Sequence, residues 1–275
     1  MSIIHYIKTP KKVDFEKLTD YLADIFPDLE VLRRNKDIYY YWLFGQSTRG
    51  VDISRENRRY YEITNTVVSN TADYRLTNMI GHYILEHYGG KLYSEDEKPL
   101  NKKIIFTQEE MEKQQQYDTD FLMFLLKNEQ ELAFMLADRK VYFGKKAYQD
   151  LLPYKTNDKL LREKIYERMK YVWYEVPAEY EYGLIMEIEA PDEEKKKTAK
   201  LITNTFPYII DETDYILFEK NKKELIAIPH EKIYEIKPPA WKMIDEIQFI
   251  TPILPQEEWA ALKKRAEQYN IFPHL

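Results

Sequence analysis

Apolar positions recur along this chain in two periods, and the switches between them divide it into elements. The stretch "DFEKLTDYLADIF" puts Phe15, Leu18, Leu22, Ile25 and Phe26 on one helical face, with Asp14 as N-cap and Pro27 as the stop. Before it, "IIHYI" (Ile3 to Ile7) reads as a first strand. After it, "DIYYYWLF" (Asp37 to Phe44) is a near-continuous aromatic and β-branched strand, followed by a turn over Gly45 to Gly50. "RRYYEITNTVV" (Arg58 to Val68) is a further strand. "SNTADYRLTNMIGHYILEHYGG" then predicts a helix capped by Ser69 or Asn70. Leu76, Met79, Ile80, Tyr83, Ile84 and His87 share one face of it, and Gly89-Gly90 ends it. "KLY" follows as a short strand.

The middle of the chain reads as helical. Thr107 and Glu110 form a capping-box pattern, in which each side chain satisfies the other's exposed backbone N–H. Apolar clusters follow at Phe121 to Leu126 and Leu132 to Leu136. A helix is expected from Asn157 to Tyr174, with Leu161, Ile165, Met169, Val172 and Trp173 on its stripe. In the last third, "GLIMEIEA" (Gly183 to Ala190) alternates like a half-buried strand. "PDEEKKKTAKLITNTF" reads as a helix, because its acids precede its bases as the macrodipole prefers. "DYILFEKNKKELIAIP" reads as a hairpin with a Lys-Asn-Lys-Lys tip, "DEIQFITPI" as a strand and "PQEEWAALKKRAEQY" as a closing helix.

These elements predict an α+β protein of two mixed α/β lobes, each a ferredoxin-like open sandwich, joined by a helical middle segment. The expected divisions are 1–105, 106–178 and 179–275. The two ends share an element order without aligned identity, which leaves divergent duplication and coincidence both open.

Composition narrows the function classes. The 275 residues are 44% hydrophobic and 32% charged, as in an ordinary globular protein. A net charge of −6 disfavours nucleic acid as the main ligand, since phosphate backbones select basic surfaces. The absence of cysteine excludes disulfides, thiolate metal sites and cysteine nucleophiles. "FLMFLL" is far too short to span a bilayer, and the first residues carry no secretory apolar run. The expected location is the cytoplasm, with no membrane partner and no cofactor.

Several stretches come close to catalytic motifs. "GHYILEHYGG" carries His82, Glu86 and His87, but zinc helices need ligands one turn apart, and these two histidines point about 140° apart on a helix. "LFGQSTRG" leads a strand into Gly-x-Ser like a nucleophile elbow, yet its second glycine is one residue late and no helix follows. "FGKKAY" lacks the upstream glycine of a phosphate loop. The acids of "YSEDEK" and "EIEAPDEEKKK" form D/E-x-K triplets that nucleases place around magnesium, but among 47 acids and 41 bases such triplets arise by chance. No catalytic, cofactor-binding or metal residue is therefore assigned. Twenty-four tyrosines remain as the distinctive chemistry, and tyrosine serves protein interfaces as readily as cores.

The segment "YYEITNTVVSNTADYRLTNMIGHYILEHYGGKLYSEDE" combines a strand, an Ala-Asp-Tyr helix start, an amphipathic helix, Gly-Gly, a short strand and an acidic turn. In this it resembles poorly characterised bacterial α+β families, some of which accompany polymorphic toxins as their immunity proteins. "FITPILPQEEW" has a similar character. The resemblance covers about 40 residues, and its motifs are structural. It implies a cytosolic bacterial protein that acts by binding another protein.

The expectation is accordingly a non-catalytic binding module, an immunity or inhibitor protein that occludes a basic toxin domain. The exposed members of Tyr39, Tyr41 and Tyr60, with Glu95, Asp96 and Glu97, are the expected contacts. Two other classes stay open. One is a carboxylate- or metal-dependent hydrolase assembled from distant positions, with a histidine among His5, His82 and His230. The other is a structural or scaffold subunit.

Overall fold

Strand alternation sorts the first part of the chain into two surfaces before any helix is placed. In β1 (Ser2–Lys8), Ile3, His5 and Ile7 face one way and Ile4, Tyr6 and Lys8 the other. The same alternation runs through the strands that pair with it, so one face of the sheet is largely apolar. The structure is a computed structural model that describes residues 2–102, 104–188, 196–221 and 224–271. It divides into two compact units, Met1–Glu175 and Val176–Leu275, and the protein is α+β.

In the first unit β1 leads to α1 (Phe15–Ile25), β2 (Leu29–Arg33), β3 (Ile38–Leu43), β4 (Val51–Asn57) and β5 (Tyr60–Thr66). α2 (Thr71–Tyr88), β6 (Lys91–Tyr93) and β7 (Pro99–Leu100) follow. The seven strands form one sheet in the order β2-β3-β4-β5-β1-β6-β7, with every neighbour antiparallel. The apolar face carries Ile7, Tyr41, Leu43, Val51, Ile53, Tyr61, Ile63 and Leu92. It shares one core with Leu18 and Leu22 of α1 and with Leu76, Ile80 and Ile84 of α2. Asp14 caps α1 as its position predicts, and Asn70 caps α2 in a capping box with Asp73.

α3 (Gln108–Lys127) starts on the Thr107/Glu110 capping box. Leu132 to Leu136, expected inside a helical middle, instead supplies β8 (Leu132–Met135), which pairs with β9 (Lys140–Phe143). Asn128 caps α3 and Glu129 adopts a positive φ of 56°, so the chain turns out of the helix before the apolar run begins. α4 (Lys145–Leu151) and α5 (Asp158–Lys170) complete the unit, and α5 passes into a π-helical turn over Tyr171–Glu175. That turn covers the second face of the sheet at its β3 end. Trp173 lies 5.8 Å from Trp42, and the Tyr174 hydroxyl donates to the carbonyls of Leu43 and Ser47.

The β3–β4 connection and the β5–α2 connection are fastened by one buried carboxylate. Asp73 accepts hydrogen bonds from the backbone N–H groups of Thr48, Arg49, Gly50 and Asn70 and from the Thr48 hydroxyl. Burial pushes its carboxyl up, and these donors oppose that shift. Gly50 has no substitute here. Its φ is 66°, and a Cβ would meet the Tyr41 carbonyl oxygen at 2.7 Å. Val68, a β-branched residue, sits nearby at a φ of 70°, held by its N–H on Asp118 and its carbonyl under Thr48.

The second unit contains β10 (Glu181–Tyr182), β11 (Ile185–Ile188), β12 (Lys197–Ile202), β13 (Tyr208–Ile210), β14 (Tyr215–Asn221) and β15 (Glu224–Pro229). α6 (Ile233–Ile236), β16 (Lys242–Met243), β17 (Phe249–Thr251) and α7 (Gln256–Ala266) follow. Two four-stranded sheets result, β11-β12-β14-β15 and β10-β13-β17-β16. The core gathers Ile216, Phe218, Ile226, Ile228, Trp241, Phe249, Trp259 and Leu262.

The helix expected over "PDEEKKKTAKLITNTF" is overturned where it can be seen. Lys197–Ile202 is a strand, parallel to β14 and antiparallel to β11. Charge order imitated a helix, but Lys200 lies fully buried in an ion pair with Asp211, just past β13. A side chain held between two sheets overrides local propensity. The Pro191 to Lys195 part of that expected helix, the end of the Gly183 to Ala190 strand and the Lys222-Lys223 hairpin tip lie outside the described residues.

Replacing Asp73 by Ala leaves several buried N–H groups without an acceptor and is expected to cost at least about 3 kcal/mol. Urea unfolding followed by tryptophan fluorescence, with Gln46→Ala as an exposed-turn control, measures it.

Candidate protein-interaction site

The second face of the first unit's sheet is closed over β3 but half-open over β5, β1 and β6, and alternation decides what stands there. Tyr6 pairs across to Glu62 on one side and to Tyr93 on the other, while Lys8 lies opposite Tyr60 and Lys91. Paired residues share a face, so three tyrosines, two lysines and a glutamate project together. Tyr6 and Tyr60 stack with ring centroids 4.9 Å apart. The Lys8 ammonium lies over two rings at once, 5.0 Å from the Tyr60 centroid and 4.8 Å from that of Tyr93. A cation between two electron-rich faces is held by their quadrupoles.

Carboxylates surround these rings. Burial pushes the Tyr6 hydroxyl up, and the charges of Glu62, Glu95, Glu97 and Glu56 push it further. The Tyr60 hydroxyl is raised in the same way by burial and then by Glu97, Tyr6 and Glu62. It has no hydrogen-bond partner among the described residues. Glu95, Asp96 and Glu97 form an exposed turn between β6 and β7, closed by the Glu97 N–H on the Ser94 carbonyl, with Asp96 paired to Lys98 at 3.2 Å. The face can therefore hold cations through ring faces and receive them through a negative rim.

Of the residues expected at a contact, Tyr60, Glu95 and Glu97 come together here, with Asp96 in the same turn. Tyr39 and Tyr41 do not join them. Both point to the opposite face and are buried, Tyr39 against Phe15 at 4.7 Å and Tyr41 with its hydroxyl 2.8 Å from that of Thr19. The condition set for them, exposure, is not met, because their parity along β3 is the parity of the core. Tyr6, Tyr93, Lys8 and Glu62 were missed by sequence. The strand alternation in "SIIHYIK", "YYEITNT" and "KLY" carried the signal, but only the register among the three strands brings the four together.

The remaining polar candidates are structural. Ser47 is fully buried, accepts from the Leu43 N–H and bonds to Asp73. His82 pairs with Glu86 at 3.1 Å on the surface, and the His87 ring packs on Tyr83 at 4.5 Å. His230 is buried, hydrogen-bonded between Thr213 and Tyr234. His5 is buried with its ring edge-on to Phe106 at 4.9 Å, and its Nδ1 has no partner among the described residues. Burial, helped by the positive charge of Lys102, lowers its pKa to about 4. Among the described residues no group of three or more His, Asp or Glu side chains could hold a metal ion, and no helix is long and apolar enough to cross a membrane.

Comparison with known proteins adds nothing to this geometry: no protein-family model, no curated protein and no solved structure matches the chain.

Two outcomes follow. The coupling between Lys8 and Tyr60, read from a Lys8→Met and Tyr60→Leu double-mutant cycle in urea unfolding, is expected at about 0.5–1 kcal/mol. An unfolded chain protonates His5 near 6.5, whereas the folded chain resists until about 4. The contribution of His5 to stability is therefore full above pH 6.5 and is lost as pH drops towards 4, by on the order of 3 kcal/mol. His5→Leu should flatten that window relative to the unsubstituted protein in pH-dependent unfolding.

Proposed function

We propose that this chain is a non-catalytic protein-binding module whose open sheet face receives the lysine and arginine side chains of a basic protein. The observation that carries the reading is the Lys8 ammonium resting between the Tyr60 and Tyr93 rings, with Glu62, Glu95 and Glu97 close by. The chain accommodates one of its own cations there, so a partner's cation that displaces Lys8 meets ring faces already arranged for it. The net charge of −6 supports steering of a basic partner, because complementary potentials raise the encounter rate.

In this reading the protein is a cytoplasmic bacterial immunity or inhibitor protein that covers the active surface of a basic toxin domain. What suggests the toxin-linked role is the resemblance of the Tyr60-to-Glu97 segment described from the sequence, a resemblance that no family model reproduces. The connectivity of the first unit supports reading that unit as an enlarged ferredoxin-like sandwich. One strand–helix–strand crossover runs from β1 to β2 and another from β5 to β6, with the β3–β4 hairpin widening the sheet between them.

The test is binding kinetics on a partner recovered with the intact chain at one-to-one stoichiometry. Reversal of charge at Glu95, Asp96 and Glu97 to Lys should slow association about tenfold in low salt and much less at high salt. A partner whose association is indifferent to both salt and these reversals would remove this face from the reading.

A further inference from the structure

The far edge of the same sheet carries a second interaction surface, and its chemistry selects its own copy. Among the described residues β2 pairs with β3 alone, so its outer edge is unpaired within the sheet. The Phe44 N–H donates to the Asp28 carbonyl, and the Arg34 N–H to the Ile38 carbonyl. Even-numbered residues of the strand thus turn their backbone groups towards β3. By the alternation of an antiparallel ladder, Val31 and Arg33 turn theirs outward. An open edge is a template for another strand unless Pro, a bulge, unmatched charged side chains or a covering element blocks it. β2 carries no Pro, Lys or bulge, its charges Glu30 and Arg33 are of opposite sign, and it exposes Val31 and Leu32, each at 38%.

The order of charges decides the occupant. In "DLEVLRRNK" the acids Asp28 and Glu30 come first and the bases Arg33, Arg34 and Lys36 last. Parallel pairing of two such segments in register would set like against like. Antiparallel pairing about a two-fold axis at Leu32 sets Glu30 opposite Arg34, with Leu32 against its own copy; Lys36 lies in the bend that returns the chain to β3, outside the paired stretch. In that register Val31 and Arg33 of the two copies exchange their outward N–H and C=O groups. Opposite charges facing each other across a ladder stabilise it, and like charges destabilise it. Arg34 lies 3.4 Å from Asp52 of β4 and over the Tyr40 ring of β3, so its guanidinium reaches back across the sheet and has to swing outward to meet Glu30 of the copy.

We propose that the β2 edge pairs two copies of this chain into an antiparallel, two-fold dimer with a sheet continuous through both. The interface is independent of the cation-binding face, which lies over β5, β1 and β6.

Sedimentation velocity on the full chain, from about 1 to 500 µM, tests the inference, since a short strand edge belongs to the weak end of specific interfaces. A monomer–dimer equilibrium is expected. Val31→Pro removes only an outward N–H, so circular dichroism should be retained while the dimer is lost. Leu32→Lys should abolish it as well. Glu30→Lys and Arg34→Glu should each weaken the dimer about tenfold, and the two together in one chain should restore it. A chain that stays monomeric throughout overturns the proposal. So does a dimer that survives both Val31→Pro and Leu32→Lys, or one that the paired charge exchange fails to rescue.

Discussion

One buried carboxylate holds the first unit's connections in place. Asp73 is the third residue of α2, and it gathers backbone donors from the β3–β4 turn and from the start of its own helix. The turn cannot relax while those donors are engaged, and the helix cannot move away from it. Gly50 follows from the same constraint, because its backbone must approach Asp73 under the Tyr40 and Tyr41 side. The strain at Val68 follows too, since the chain must fold back sharply to bring Ser69 and Asn70 over Gln46. The π-helical turn then lies on a surface already fixed, with Tyr174 bonded to that same turn.

Two lysines show how differently one charge can be handled on one chain. Lys200 is removed from water completely and answered by Asp211, with the Tyr182 ring 5.4 Å away. A charge buried so deeply must be paired by a fixed partner, and this pair ties β12 of one sheet to the residue just past β13 of the other. Lys8 keeps its exposure and is answered by ring faces, which grip without desolvating. The first arrangement is sealed in the core, while the second stands at the surface. Neither lysine stands out in the sequence, where each is one of many.

Much of the first unit was legible because its elements announce themselves locally. The Asp14 and Asn70 caps, the Thr107/Glu110 box and the Gly89 stop are short-range signals, and the structure places helices against each of them. β2 and β4 carried weaker patterns. "LEVLR" is exposed on both sides, and "VDISREN" ends in polar residues, so neither shows a clean apolar stripe. Lys197–Ile202 misled for a sharper reason, since its charge order suits a helix and only the distant Asp211 explains a strand. The candidate site was half-legible. Tyr60 and the acidic turn could be picked out by type, but whether a tyrosine faces the core or the solvent depends on register, and Tyr39 and Tyr41 fell on the core side.

The Asp73 fastening also has a bearing on ancestry. Its parts are distant in sequence but fixed in kind: Ser47-Thr48-Arg49-Gly50 after an aromatic strand, then Asn70-x-x-Asp73 opening a helix. Gly50 is held by its left-handed backbone and by the Tyr41 carbonyl that a Cβ would meet, and Asp73 by the donors it gathers, so a change at either position is costly. Kinship too remote for overall identity to register would survive longest in this pair of short signatures, and they are where a search for this chain's relatives would find its footing.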